Sequence, residues 1–192
     1  MKVLLIDNYD SFTHILRDYI VQTGANCDLY RNDERILLSL LPENYDALVI
    51  SPGPETPVKA GLLMQVLPTW LEALPVLGVC LGHQAIGEYY GAKLVQAKRP
   101  RHGKVDEMNH LGGLLFKGVP KIFKATRYHS LILQHLPDSL IGNCWSKDEL
   151  MALEHKTLPI YGLQFHPESC ETEFGLTMIK NFLDLVKKDR RF

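Results

Sequence analysis

Short apolar runs alternating with amphipathic stretches constrain this chain more than any other feature. Val3–Ile6 has the pattern of a buried strand and stops at Asp7-Asn8. Phe12, Ile15, Leu16, Tyr19 and Ile20 follow at i, i+3, i+4, i+7 and i+8, one face of a helix that Asp10 or Ser11 could cap and Gly24 ends. Cys27–Tyr30 offers a second strand, Ile36–Leu41 a short helix, and Ala47–Ile50 a third strand closed by Ser51-Pro52-Gly53-Pro54. Gly61–Leu74 is helical in pattern. Pro75 separates it from a strand at Val76–Val79, and a helix over Leu81–Tyr90 follows at once. Such alternation implies right-handed βαβ crossovers and a parallel sheet with helices on both faces.

The second half predicts shorter strands, several antiparallel, at Lys93–Gln96, Leu114–Phe116, Ile122–Ala125, Ile141–Cys144 and Met151–Glu154. Ile160–Phe165 is a further strand, and Phe174–Val186 a closing helix. The expected class is therefore α/β: an open, mostly parallel sheet flanked by helices, with a small antiparallel extension. No repeat or linker divides residues 1–192, and the length suits one domain.

Charge and cysteine usage narrow the partners. Lys and Arg number 21 against 22 Asp and Glu, a formal net charge of −1 that argues against nucleic acid or another polyanion. No apolar run approaches the roughly 20 residues that cross a membrane, so no membrane association and a cytoplasmic setting with reduced thiols are expected. The cysteines at 27, 80, 144 and 170 contain no CxxC pair, which disfavours both a disulfide framework and structural zinc. The terminal Lys187-Lys188-Asp189-Arg190-Arg191 reads as a frayed, solubilising helix end.

Ligands of open α/β sheets bind beyond the carboxyl ends of the strands, and three such ends carry chemistry here. In Gly78-Val79-Cys80-Leu81-Gly82-His83-Gln84, Cys80 lies between strand and helix with glycine two residues to either side. That is the cysteine form of the nucleophile elbow, whose turn is too tight for flanking side chains. A helix N-terminus also favours a thiolate; the alternative is a buried structural cysteine. In Gln164-Phe165-His166-Pro167-Glu168, His166 could shuttle a proton and Glu168 could orient its ring, though one histidine among eight could equally be a surface residue. Ser51-Pro52-Gly53-Pro54 is either a plain turn or the place where the Gly53 N–H meets a developing oxyanion together with the N–H of Leu81.

These segments resemble the triad-type, class I glutamine amidotransferases, whose G-x-C-x-G-x-Q motif is matched by Gly78 to Gln84 and whose H-P-E motif is matched by His166 to Glu168. Leu5 to Thr13, Ser51 to Pro54, His102-Gly103-Lys104 and Tyr128-His129-Ser130-Leu131 are similar to the subfamily that serves chorismate-aminating synthases, component II of anthranilate or aminodeoxychorismate (para-aminobenzoate) synthase. The resemblance runs from Lys2 to about Leu183. It implies a flavodoxin-like fold, a Cys80–His166–Glu168 triad, an oxyanion hole at Gly53 and Leu81, and L-glutamine held by Gly53, Pro54, Glu55, Gln84, Ser130 and Leu131. Many relatives read P-G-P-G where this chain has Glu55 after Pro54, which leaves open how Glu55 sits beside a glutamine. No cofactor or metal is implied for this chain; Mg²⁺ is expected on a partner, a chorismate-using synthase subunit (component I). Lys98-Arg99-Pro100-Arg101-His102-Gly103-Lys104 is a candidate docking surface for that partner or simply a solvated loop. The competing expectations are a free-standing γ-glutamyl cysteine hydrolase and a non-catalytic regulatory subunit on the same fold.

Overall fold

One nine-stranded sheet, ordered β2-β1-β3-β4-β11-β10-β9-β6-β7, organises the computed structural model, which describes residues 1–189. Its strands are β1 (Lys2–Asp7), β2 (Asn26–Arg31), β3 (Ala47–Ile50), β4 (Val76–Val79), β6 (Lys104–His110), β7 (Ile122–Arg127), β9 (Leu140–Ser146), β10 (Glu149–His155) and β11 (Ile160–Leu163). The helices are α1 (Thr13–Gln22), α2 (Leu63–Leu71), α3 (Leu81–Tyr89) and α4 (Gly175–Asp189). β5 (Lys93–Gln96) and β8 (Leu131–Gln134) pair with each other as a separate antiparallel ribbon. Arg190 and Arg191 of the expected frayed end lie outside the described residues.

The five strands from β2 to β11 are mutually parallel, and β10, β9, β6 and β7 continue the same sheet antiparallel. The expected α/β class and both parts of the sheet are present. β3, β4 and β11 are buried along their whole length, which is why they read as short apolar runs without alternation. Within β1 the pleat sorts side chains by parity. Val3 and Leu5 join α1 and α4 through Leu16, Ile20, Met178 and Phe182, while Leu4 and Ile6 join α2 and α3 through Trp70 and Ile86. Two cores therefore sandwich the sheet. The parallel register (Ile6 opposite Ile50, Ile50 opposite Gly78, Gly78 opposite Gly162) brings the ends of β1, β3, β4 and β11 to one edge.

Several local expectations differ from the structure. Leu114–Phe116 is a turn, not a strand; Leu115 and Phe116 are apolar because they are buried, Phe116 stacking on His110 at 4.4 Å between centroids. The sequence pattern predicts neither β6 nor β8, and Lys104, the last residue of the basic segment, begins β6. Ile36–Leu41 reduces to a 3-10 turn at Arg35–Leu38, and α2 starts at Leu63 rather than Gly61. Helix α1 has Phe12 at its N-cap position without a side-chain cap. The turn is held one step earlier: Asp7 Oδ1 accepts from the Tyr9 N–H at 2.9 Å and the Thr13 hydroxyl at 2.8 Å, while Asp10 accepts from the Phe12 N–H. Among the described residues no helix is long and apolar enough to cross a membrane.

Candidate active site

Cys80 sits at φ 51°, ψ −99°, between β4 and α3. An L-residue adopts that conformation only when its surroundings impose it. The glycines explain how the turn closes. A Cβ on Gly78 would lie 2.4 Å from the Gly82 carbonyl group, and one on Gly82 would lie 2.6 Å from the Ile50 carbonyl oxygen. The G-x-C-x-G spacing is thus a steric requirement, with β4, the elbow and β3 in backbone contact. The Cys80 N–H donates to the Leu163 carbonyl at 2.7 Å, tying the elbow to β11.

The residues after β11 bring in the histidine. His166 Nδ1 and Glu168 Oε1 are 2.6 Å apart and both side chains are buried. Pairing at Nδ1 leaves Nε2 available, and Nε2 is buried with no hydrogen-bond partner. Burial by itself would depress His166, but the Cys80 thiolate and then the Glu168 carboxylate carry it well above the ordinary histidine range. Phe12 and Tyr128 set the ring edge-on, with centroids 6.0 and 4.9 Å from it. Neither aromatic was singled out from sequence, although both lie in segments that carried the resemblance.

The Pro167 turn is braced from behind by α4. A Cβ on Gly175 would fall 1.7 Å from the Pro167 carbonyl oxygen, a backbone atom that cannot swing aside. Gly175→Ala is expected to cost about 3 kcal/mol, measured as lost denaturant stability. Unchanged stability would mean that the turn relocates freely.

The third strand end is pinned by polar side chains. Asn8 donates through its backbone N–H to Ser51 Oγ at 2.8 Å and through Nδ2 to the Ser51 carbonyl at 2.9 Å; Asn32 donates to Asn8 Oδ1. A Cβ on Gly53 would meet Asn8 Cβ at 2.5 Å and Leu81 Cδ1 at 3.3 Å, so Gly53 lies directly beside the first residue of α3. The Leu81 N–H belongs to the first turn of that helix, where amides have no partner within the helix. Pro54 and Glu55 are exposed; Glu55 takes a left-handed φ of 61° and pairs with Lys59 at 3.0 Å. On the opposite side, Gln84 Nε2 donates to the Leu131 carbonyl and to Gln164 Oε1, both at 3.2 Å. Ser130 joins Ala97 through its carbonyl at 2.8 Å.

The remaining thiols are set apart chemically. Burial pushes Cys27 up to about 11 and Cys144 up to about 12, and Cys170 is exposed. Asp10 places a carboxylate oxygen within 4.8 Å of donor atoms of His166 and Glu168, a set that could hold a cation. Such an ion would have to compete for the carboxylate that orients His166. The lysine and arginine loop is partly neutralised by Asp148, paired with Lys98, and by Asp106, which takes Arg101 at 3.0 Å.

Known proteins resemble this chain along nearly its whole length. The model of the class-I glutamine amidotransferase family matches residues 4–186. The chain is 44% identical over 188 residues to anthranilate synthase component 2 of Thermus thermophilus, covering 96% of this chain and 92% of that protein. It is 40% identical over 190 residues to the aminodeoxychorismate/anthranilate synthase component 2 of Bacillus subtilis, covering 97% and 98%. Its fold matches a crystal structure of a glutamine amidotransferase from Thermotoga maritima with a TM-score of 0.76, over 100% of this chain and 86% of that one, at 19% identity. A match that runs from residue 4 to residue 186 takes in the elbow and the His166 turn alike, and the chain belongs to the class-I glutamine amidotransferase family.

Proposed function

We propose that this chain is the glutaminase subunit, component II, of a two-component chorismate-aminating synthase, making ammonia from L-glutamine for a separate component I. The observation that carries the reading is a strained, glycine-flanked Cys80 electrostatically coupled to a buried His166–Glu168 pair, in a chain 44% identical to a synthase component 2. Cys80 Sγ attacks the side-chain amide carbon of glutamine. The N–H groups of Gly53 and Leu81 hold the oxyanion. When the tetrahedral species collapses, His166 gives its Nε2 proton to the departing nitrogen, which leaves as ammonia, and a γ-glutamyl thioester remains.

The charges favour that order of events. His166 is raised chiefly by the Cys80 thiolate, so forming the thioester removes the support that held its proton. The imidazolium becomes a stronger acid as the leaving group needs one. Neutral His166 then takes a proton from water, which attacks the thioester and releases glutamate. Ser130, Leu131 and Gln84 on one side, and Gly53, Pro54 and Glu55 on the other, hold the amino-acid end of the substrate.

Addition to the chorismate ring, and the Mg²⁺ expected for it, belong to component I. The Bacillus subtilis relative carries both branch names, which supports one subunit serving either the anthranilate or the para-aminobenzoate branch. The test is glutamine hydrolysis by the purified chain with and without each candidate synthase subunit, with the aromatic product identified. Hydrolysis and chorismate amination rising together with one subunit is the expected result. Full γ-glutamyl hydrolysis that ignores every partner would replace this reading with a free-standing hydrolase.

A further inference from the structure

Gln164 closes a chain of hydrogen bonds whose direction is set at the Leu131 carbonyl, which can only accept. Arg127 is buried and can only donate, and its Nε donates to His129 Nε2 at 3.0 Å. His129 therefore carries its proton on Nδ1, which donates to the Leu131 carbonyl at 3.0 Å. Burial, then the Arg127 charge, keep this histidine neutral, lowering it to about 3. The same carbonyl also accepts from Gln84 Nε2 at 3.2 Å, and since a carbonyl cannot donate, the orientation of the Gln84 amide is fixed. The second hydrogen of Gln84 Nε2 reaches Gln164 Oε1 at 3.2 Å, which turns Gln164 Nε2 toward Cys80 Sγ at 3.6 Å. A flipped Gln164 would put an oxygen against the sulfur and lose the bond to Gln84.

We infer that Gln164 is a further catalytic residue, whose amide N–H holds the Cys80 sulfur as a thiolate, and that Gln84 and the Leu131 carbonyl are the positioning groups that stop this amide from flipping. Gln164 is fully buried between the elbow and β10, where its backbone N–H donates to the Met151 carbonyl at 2.9 Å, so the side chain has a rigid base. A donor aimed at sulfur stabilises the charged over the neutral form. In this geometry His166 holds the proton and Gln164 holds the sulfur. The inference rests on Cys80 being the nucleophile, and its test reads the thiol without substrate.

The experiment is the pH dependence of Cys80 alkylation by iodoacetamide in the full chain, followed on the Cys80 peptide by mass spectrometry so that Cys170 does not contribute. Gln164→Met removes the donor at similar volume. The pH of half-maximal rate is expected to rise by about half to one unit, so that alkylation at any pH below that midpoint is slowed roughly 3- to 10-fold. Gln84→Met frees the Gln164 amide to flip and is expected to give a smaller rise in the same direction; it carries the test alone if Gln164→Met does not fold. A midpoint unmoved in the folded Gln164→Met chain, or in Gln84→Met when that variant stands alone, overturns the inference. Glutaminase activity surviving in Cys80→Ala would instead overturn the nucleophile assignment, so the two failures are told apart.

Discussion

A chain carrying Cys80→Gly is expected to hydrolyse no measurable glutamine and yet to melt above Cys80→Ala. Loss of the nucleophile should cost at least about 10³-fold in glutaminase rate in either variant, measured with the partner subunit present. The stability order follows from the backbone. At φ 51°, ψ −99° any residue with a Cβ is strained by about 1–3 kcal/mol, and alanine keeps that strain while glycine removes it. Glycine gives back about 0.5–1 kcal/mol through its freer unfolded chain. The net advantage is about 1 kcal/mol, which for a chain of this length is roughly 2–4 °C in melting temperature. Cys80→Gly melting below Cys80→Ala would show that the elbow stores no strain. Activity in either variant would show that the chemistry does not run through Cys80.

The strain has a structural source that was visible before the fold was known. Gly78 and Gly82 mark an elbow because a Cβ at either position collides with backbone, Gly78 with Gly82 and Gly82 with Ile50. The first-half strands were legible for a similar reason: Val49, Leu77 and Val79 face solvent on neither side, so their segments carry no polar interruption. Strand β6 was hidden by the reverse condition. In Lys-Val-Asp-Glu-Met-Asn-His only Met108 and His110 are buried, and the pattern resembles a charged loop. Leu114–Phe116 misled because three apolar residues in a row look like a strand when they are covering a core from a turn. Cys80, His166 and Glu168 could be nominated from motifs. The roles of Phe12, Tyr128, Asn8 and Gln164 could not, because each depends on a partner that only the sheet brings near.

Burial of two further histidines leads to a steep loss of stability in mild acid. His83 is wholly buried in the first turn of α3 with neither ring nitrogen hydrogen-bonded, and burial pushes it down to about 3 against a weak pull from the Gly162 backbone. His129 is lowered to about 3 by burial and by Arg127. Both remain neutral in the fold and protonate near 6.5 once unfolded, so below that pH the unfolded chain binds two protons that the native chain does not. Their stabilisation is present in full above pH 6.5 and fades as pH falls from there toward 3. At pH 4.5 each group should cost about 2–3 kcal/mol. His166 does not oppose this, because its raised affinity leaves it protonated in both states below about pH 6. Asp28 and Asp148, held below the carboxylate range by Lys2 and Lys98, add their own loss only below about pH 4. Urea unfolding between pH 6 and 4.5 should therefore show stability falling with pH, His83 and His129 together contributing a slope approaching two protons. His155, lowered by burial, adds to that slope, and Asp10, Glu88 and Glu154, raised by burial, subtract from it. His83→Asn, lower in stability at pH 8 for the cavity it leaves, should lose about one of those protons, and an unchanged slope would mean that His83 is protonated inside the fold.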